Sequence, residues 1–239
     1  MIPPTLQQSL TARLDRLGPA REVAQIGAVI GRDFSYLLLR AVAATEDAPL
    51  QAALERLAEA DIVLVQGLPP DSDYRFKHAL IQDAAYENLL KSRRQMLHRR
   101  VAEILRDRFP DTAAVEPEVL AHHFTQAGLT AAAIEWWGKA GDQALRRSAF
   151  PEATSHLGKA IEMADKAGEG ASTAATKSAS ANRRLKLQTD LGKALMFSRG
   201  FGADESRAAF IRARELATAI EDATERFTIY QGLWTRHLQ

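Results

Sequence analysis

Between residues 6 and 57 the apolar positions recur at three- and four-residue spacing, which is the period of an amphipathic helix. The first helix is predicted to end at Gly18-Pro19, because that pair stops a helix. A second helix should end at Gly31, a third should run from Tyr36 to Val42, and a fourth should begin at Pro49. This part of the chain is therefore predicted to be helical.

The hydrophobic period changes at Ile62. Two short stretches rich in β-branched or aromatic residues, 62–66 and 74–77, flank a turn segment that contains Pro69-Pro70. They predict one β-hairpin, and two further helices should follow it before Pro110. Helices combined with a single hairpin are typical of a winged-helix domain, which we predict for residues 1–110 together with its bridging helices.

The second half, residues 111–239, is predicted to be an α-helical array of tetratricopeptide-like (TPR-like) repeats. Large and small residues stand at the offsets that this repeat uses, and they are Trp137, Gly141, Ala153, Leu157 and Ala160. Small residues let the two helices of a repeat approach closely, while the tryptophan and the leucine fill the space to the neighbour. The fold class is therefore predicted to be mainly α.

A second, looser copy of the repeat has Gly192 in its first helix and Phe210 and Ala213 in its second. Between the two copies, residues 168–182 are rich in small and polar residues without apolar periodicity, which predicts a flexible connector. A third repeat begins near Phe227 and is expected to be incomplete at Gln239. Such an end leaves an apolar flank open, so it either meets a partner or marks a fragment.

Composition excludes several classes of function. Lys and Arg number 31 against 30 Asp and Glu, so a net charge of +1 provides no global attraction to nucleic acid or to anionic lipid. The chain has no cysteine, which excludes disulfides and thiolate chemistry and fits a reducing compartment. It also lacks the run of about 20 apolar residues that spans a membrane. We expect a cytoplasmic protein without membrane contact.

Motifs for chemistry are sparse. Gly138, Gly158 and Gly192 each precede lysine, but alanine follows where a phosphate-binding loop needs serine or threonine. His122-His123 is an adjacent pair whose rings would point about 100° apart on a helix, so it should not share a metal. We therefore predict no enzyme activity, no metal site and no cofactor in this chain.

DNA binding is the alternative function. A winged helix and the arginines of residues 93–100 could serve a transcription regulator, if those cations share one exposed face. The helical period scatters them, and Glu103 and Asp107 on the same helix would oppose phosphate. Binding to nucleic acid is therefore the less favoured prediction.

Several motifs together resemble the region that follows the ATPase in bacterial STAND-type regulators. These are signal-transduction ATPases, many with a class III adenylate or guanylate cyclase domain and C-terminal tetratricopeptide repeats. The motifs are Arg32-Asp33-Phe34-Ser35, the segment from Phe76 to Tyr86, Leu89 to Arg94, Leu97 to Arg100, Leu120 to Phe124, and Ala127-Gly128-Leu129. The resemblance implies a regulatory, protein-binding role, with ATP or ADP held only on an upstream domain that this chain lacks.

The resemblance also implies a role for His78. In the wider family a histidine at the start of a winged-helix helix contacts the β-phosphate of bound ADP, and His78 lies at the matching position. A ring N–H beside the positive end of a helix dipole suits a phosphate oxygen. The family often has an acidic residue next, where this chain has Ala79. The alternative is that His78 caps the helix and bonds to nearby backbone.

Overall fold

The structure is a computed structural model that describes residues 4–167, 174–200 and 202–217. Most of these residues lie in helices and a small antiparallel sheet accompanies them, so the prediction of a mainly α fold is confirmed. The chain forms two compact units. The first extends to Thr112 and includes 126–128, and the second takes 113–125 and the described residues from Leu129 onward.

The first unit alternates helices with short strands. Helices α2, α3, α4, α5 and α6 lie close to where the apolar period predicts them. Its elements are α1 Pro4–Asp15, α2 Ala20–Ile30, β1 Asp33–Ser35, α3 Tyr36–Ala43, α4 Asp47–Glu59, β2 Val63–Leu68, β3 Asp71–Phe76, α5 Ala79–Glu87 and α6 Lys91–Arg108.

The sheet has three strands in the order β1-β3-β2, not the single hairpin that the sequence predicts. Strand β1 pairs with β3 so that Phe34 faces Tyr74, and their rings stack with centroids 5.8 Å apart. Phe34 is buried against α2, where a Cβ on Gly27 would lie 2.8 Å from the phenyl ring. A glycine on α2 therefore makes room for the side chain that anchors the third strand.

The hairpin turn is tighter than predicted. Strand β3 begins at Asp71, so the turn leaves only Pro69 and Pro70 between the strands. Alternate side chains of β3 are buried, and this alternation extends the strand back to Ser72. Gly67 has φ +85°, and a Cβ there would lie 2.5 Å from the carbonyl oxygen of Asp71. Only glycine fits this position without strain.

The second unit consists of successive packed helices. Helix α7 (Pro110–Val115) spans the division between the units, and the later elements are α8 Pro117–Gln126, α9 Thr130–Arg146, α10 Phe150–Ala167, α11 Ala174–Arg199 and α12 Asp204–Ala217. Helix α9 packs along α10, α10 along α11, and α11 along α12. Short turns join α9 to α10 and α11 to α12, as in αα-hairpins.

The predicted connector over 168–182 is wrong from Ala174 onward, where α11 has begun. Alanine is the best helix former and lysine is nearly as good, so the alanines and Lys177 of 174–182 favour helix although the segment lacks apolar period. Residues 168–173 and the predicted third repeat, with Phe227, lie outside the described residues. In the part of the chain that the structure describes, no helix has the length and apolar character to span a membrane.

Candidate protein-interaction site

His78 stands at the start of α5, in extended conformation with φ −131° and ψ 136°. Its side chain is exposed and makes no capping hydrogen bond; instead its carbonyl accepts hydrogen bonds from the N–H groups of Ile81 at 3.0 Å and Gln82 at 3.4 Å. His78 is therefore the N-cap residue of α5 through its backbone carbonyl, while its imidazole makes no capping hydrogen bond. Contact between His78 and a nucleotide stays a prediction.

The residues that the repeat pattern singled out lie in the interior of the second unit. Ala153, Leu157 and Ala160 of α10 are fully buried, and Gly141 of α9 is buried as well. A Cβ on Gly141 would lie 2.5 Å from Cγ of Leu157. Glycine at this position therefore sets how closely α9 and α10 approach.

The α11–α12 pair repeats this arrangement with a larger side chain. A Cβ on Gly192 would lie 2.8 Å from the ring of Phe210, which is buried beside the fully buried Ala213. Ser206 adds a hydrogen bond from its hydroxyl to the carbonyl oxygen of Gly192 at 3.1 Å. In both helix pairs a glycine of the first helix receives a large side chain of the second.

Trp137 connects three helices. Its indole Nε1 donates to Oγ1 of Thr125 on α8 at 3.0 Å, and the ring of His156 on α10 stacks on it with centroids 5.3 Å apart. The ammonium group of Lys159 lies 4.2 Å from the indole centroid. Trp137 is almost completely buried, and its indole has both polar and apolar partners there. These contacts stabilise the packing of the three helices.

The pKa of His156 is lowered mainly by desolvation. The positive charge of Lys159 lowers it further, while the negative charges of Glu118 and Glu152 raise it. Within the described residues its Nδ1 atom is buried without a hydrogen-bond partner. Burial of part of its ring and the charge of Lys159 also lower the pKa of His122, although this side chain keeps contact with solvent. Both imidazoles are therefore harder to protonate in the folded state than in the unfolded chain.

We expect acid to destabilise the second unit. Because the folded pKa of His156 lies below the ordinary value of about 6.5, the unfolded chain binds the proton more readily, and stability falls as the pH drops below that value. Urea midpoints measured at several pH values should decline over this window, and His156→Gln should flatten the decline. An unchanged pH profile in His156→Gln would contradict this assignment.

A cleft between α9 and α11, which we call the α9–α11 groove, is one concave site of the second unit, and a larger one lies among α10, α11 and α12. The groove has a volume of about 180 Å³. The lining residues are Ile134, Glu135, Gly138, Lys139 and Asp142 of α9 with Arg183, Lys186, Leu187 and Asp190 of α11. A Cβ on Gly138 would lie 3.2 Å from Cδ2 of Leu187, so glycine keeps the apolar floor of the groove open.

Ion pairs cross the groove. Lys186 Nζ lies 2.6 Å from Asp190 Oδ2 on its own helix and 3.8 Å from Asp142 Oδ1 on α9. Lys193 Nζ lies 3.2 Å from the other carboxylate oxygen of Asp190, and Arg146 pairs with Asp142. The carboxylate of Asp190 is nearly buried between two lysines. The groove thus has an apolar floor and a charged rim.

The remaining histidine and carboxylate side chains do not form a recognisable catalytic or metal site among the described residues. The rings of His122 and His123 have centroids 5.6 Å apart at an interplanar angle of 71°, with His123 buried and His122 exposed. Asp83 and Glu87 lie exposed on α5. Among the residues with described positions, no three His, Cys, Asp or Glu side chains gather in a way that could hold a metal ion.

The chain is similar to an uncharacterized protein of Rhizobium meliloti strain 1021, with 31% identity over 228 residues. The match covers 94% of this chain and 22% of the relative, so the chain spans about a fifth of the length of that relative. No protein-family model matches the chain, and no solved structure matches it. The similarity relates this chain to one part of a much longer protein.

Proposed function

We propose that the chain is a regulatory, non-catalytic protein-interaction module of a multidomain signal-transduction ATPase of the STAND type, in the class often linked to a cyclase. Its helical repeats bind a protein or peptide, and its first unit couples that binding to the nucleotide state of an ATPase domain. The observation that carries the proposal is the α9–α11 groove, an open site with an apolar floor and a charged rim on packed helix pairs. The similarity to a segment of a longer protein fits a module of this kind.

The order of elements in the first unit supports a winged-helix domain. Helices α3 and α4 are joined by the short turn 44–46, as in a helix-turn-helix, and Ala44 adopts the left-handed conformation with φ 50°. The hairpin β2–β3 then follows, and its inner strand pairs with β1. His78 comes directly after this hairpin at the exposed start of α5, where a docked nucleotide-binding domain could reach it.

The close contacts in the second unit support TPR-like repeats. Gly141 against Leu157 and Gly192 against Phe210 are small-to-large contacts between the first and second helices of successive pairs. Gly192 and Phe210 are farther apart in sequence than Gly141 and Leu157. The wider turn at Gly200, which has φ +98°, accounts for this difference. Successive helix pairs of this kind present their first helices on one face, and the groove lies between α9 and α11.

A nucleotide-dependent capture experiment tests the proposal. The tagged full chain should retain an ATPase partner at least about fivefold better with ADP than with a non-hydrolysable ATP analogue, as for a coupling of about 1 kcal/mol. His78→Ala should abolish the difference, whereas His122→Ala, at an exposed histidine of the second unit, should preserve it. Equal capture in both nucleotides by the unmodified chain would contradict the proposal.

Charges disfavour the DNA-binding alternative. Helix α4, which would enter the major groove as the second helix of the pair, exposes Asp47, Glu55 and Glu59 against one cation, Arg56. The strands carry few free cations, because Arg75 pairs with Asp33. On α6, Arg99 pairs with Glu103 at 2.8 Å. An acidic recognition surface repels phosphate.

We expect weak binding to duplex DNA. At physiological salt the dissociation constant should be no tighter than the non-specific range of about 10⁻⁴ to 10⁻⁶ M, because few cations are available to displace counterions. Fluorescence anisotropy with a labelled duplex at several salt concentrations measures this. Nanomolar affinity with a steep salt dependence would instead establish a transcription regulator.

A further inference from the structure

The larger concave site of the second unit, which we call the α10–α12 cavity, lies among α10, α11 and α12 and has a volume of about 430 Å³. Small-molecule sites commonly have volumes of about 300–1,000 Å³. Ile161, Ala164 and Leu216 form the apolar part of its wall. On α11 the cavity is lined by Gln188, one position beyond Leu187 of the α9–α11 groove and therefore about 100° around the helix. The two sites thus use different faces of α11.

Gln188 carries an unpaired polar group in the wall of this cavity. Only 6% of its surface is exposed, and its Oε1 atom has no hydrogen-bond partner among the described residues. Buried side-chain oxygens are nearly always paired with a donor, because an unpaired one destabilises the fold. The last torsion of a glutamine side chain has broad minima, so the amide can turn its oxygen toward the cavity. An N–H group of a ligand would supply the missing donor.

The charges of the lining balance, with two guanidinium groups, of Arg184 and Arg212, and two carboxylates, of Asp165 and Glu215. Arg212 is exposed and forms no ion pair with any residue that the structure describes. Nη2 of Arg184 donates to the carbonyl oxygen of Ala164 at 2.7 Å and lies 3.4 Å from Oδ1 of Asp165. The side chain of Asp165 is 65% exposed and can accept a further donor. A ligand with one charge of each sign therefore matches this lining.

We propose that the α10–α12 cavity binds a small zwitterion with an apolar body, in the class of the free apolar α-amino acids. The ammonium group donates to Oε1 of Gln188 and to the carboxylate of Asp165. The carboxylate of the ligand accepts from the guanidinium group of Arg212, and the apolar side chain lies against Ile161 and Leu216. This inference goes beyond the proposed function, since it requires neither the ATPase partner nor the α9–α11 groove.

NMR titration of the full chain with three related probes tests the proposal. L-Phenylalanine carries both charges, 3-phenylpropionate lacks the ammonium group, and 2-phenylethylamine lacks the carboxylate. We expect phenylalanine to bind with a dissociation constant below about 1 mM and each analogue to bind at least about tenfold more weakly. Equal binding of either analogue, or no binding of phenylalanine at millimolar concentrations, overturns the proposal.

Gln188→Leu separates a role in ligand binding from a role in packing. The substitution replaces the unpaired amide by an apolar group of similar size, so it should raise the urea midpoint of the ligand-free protein. The same variant should bind phenylalanine at least about tenfold more weakly, because the ammonium group loses an acceptor. Unchanged phenylalanine binding in Gln188→Leu overturns the proposal.

Arg212→Ala tests the other end of the ligand at an exposed position. It should weaken phenylalanine at least about tenfold and leave the weaker binding of 2-phenylethylamine unchanged, because that probe has no carboxylate. Arg214→Ala is the matched control, because Arg214 is also exposed on α12 but lies about 200° around the helix from Arg212. The control should bind phenylalanine as the unmodified chain does. No loss in Arg212→Ala, or an equal loss in Arg214→Ala, overturns the assignment to this cavity.

Discussion

Trp137→Ala is expected to lower the free energy of unfolding of the second unit by about 3–5 kcal/mol, the range for removing a buried large aromatic side chain. The substitution removes the hydrogen bond to Thr125 at 3.0 Å, the stack on His156 and the contact with Lys159. It also leaves a cavity where three helices meet. Urea denaturation followed by far-ultraviolet circular dichroism measures the loss.

The neighbouring tryptophan is the matched control. Trp136 is half-buried and has Lys139 over its ring, with no role at the junction of the three helices. Trp136→Ala should therefore cost about 1 kcal/mol, in keeping with a partly exposed aromatic and its cation contact. If Trp136→Ala destabilises the protein as much as Trp137→Ala, the placement of Trp137 at this junction is wrong.

Gly141→Ala is expected to destabilise the second unit although alanine is the better helix former. The gain in helix propensity is about 1 kcal/mol, whereas overpacking a dense core costs about 1–3 kcal/mol. The added Cβ would lie 2.5 Å from Cγ of Leu157, which is fully buried and has little space to move. Steric cost should therefore exceed propensity, with a net loss of up to about 2 kcal/mol. Thermal and urea unfolding both report it.

Gly158→Ala, in the same helix pair, should change stability in the opposite direction. A Cβ on Gly158 meets no atom within 4 Å, so only the propensity gain applies and stability should rise by about 0.5–1 kcal/mol. Stabilisation by both substitutions would show that α9 and α10 are farther apart than the structure has them. The pair of glycines therefore tests the helix approach independently of any ligand.

The sequence pattern predicts those elements that are long enough for apolar residues to recur at a regular spacing. Helices α2, α3 and α4 are of this kind, and so is the hairpin. Strand β1 escapes prediction because three residues, Asp33–Ser35, carry no period, and their extended conformation depends on pairing with β3. The sequence does not reveal the start of α11 at Ala174, because residues without apolar period are typical of a connector even where alanine favours helix.

The candidate site could be predicted only in part. The repeat spacing indicates Trp137, Gly141 and Leu157, since large and small residues at fixed offsets are visible in one helix pair. The groove depends on pairs such as Lys186 with Asp142, which lie on different helices and carry no local signal. The role of His78 rests on a resemblance alone, and the exposed imidazole at the start of α5 is compatible with it.

We propose that the chain acts by docking and that its partner binds the nucleotide. Native mass spectrometry of the complex captured on the tagged full chain tests this claim most directly. We predict a complex whose mass equals this chain, a second protein and bound ADP, with nucleotide retained on the second protein when the complex dissociates. ATP or ADP bound to this chain alone would contradict the account.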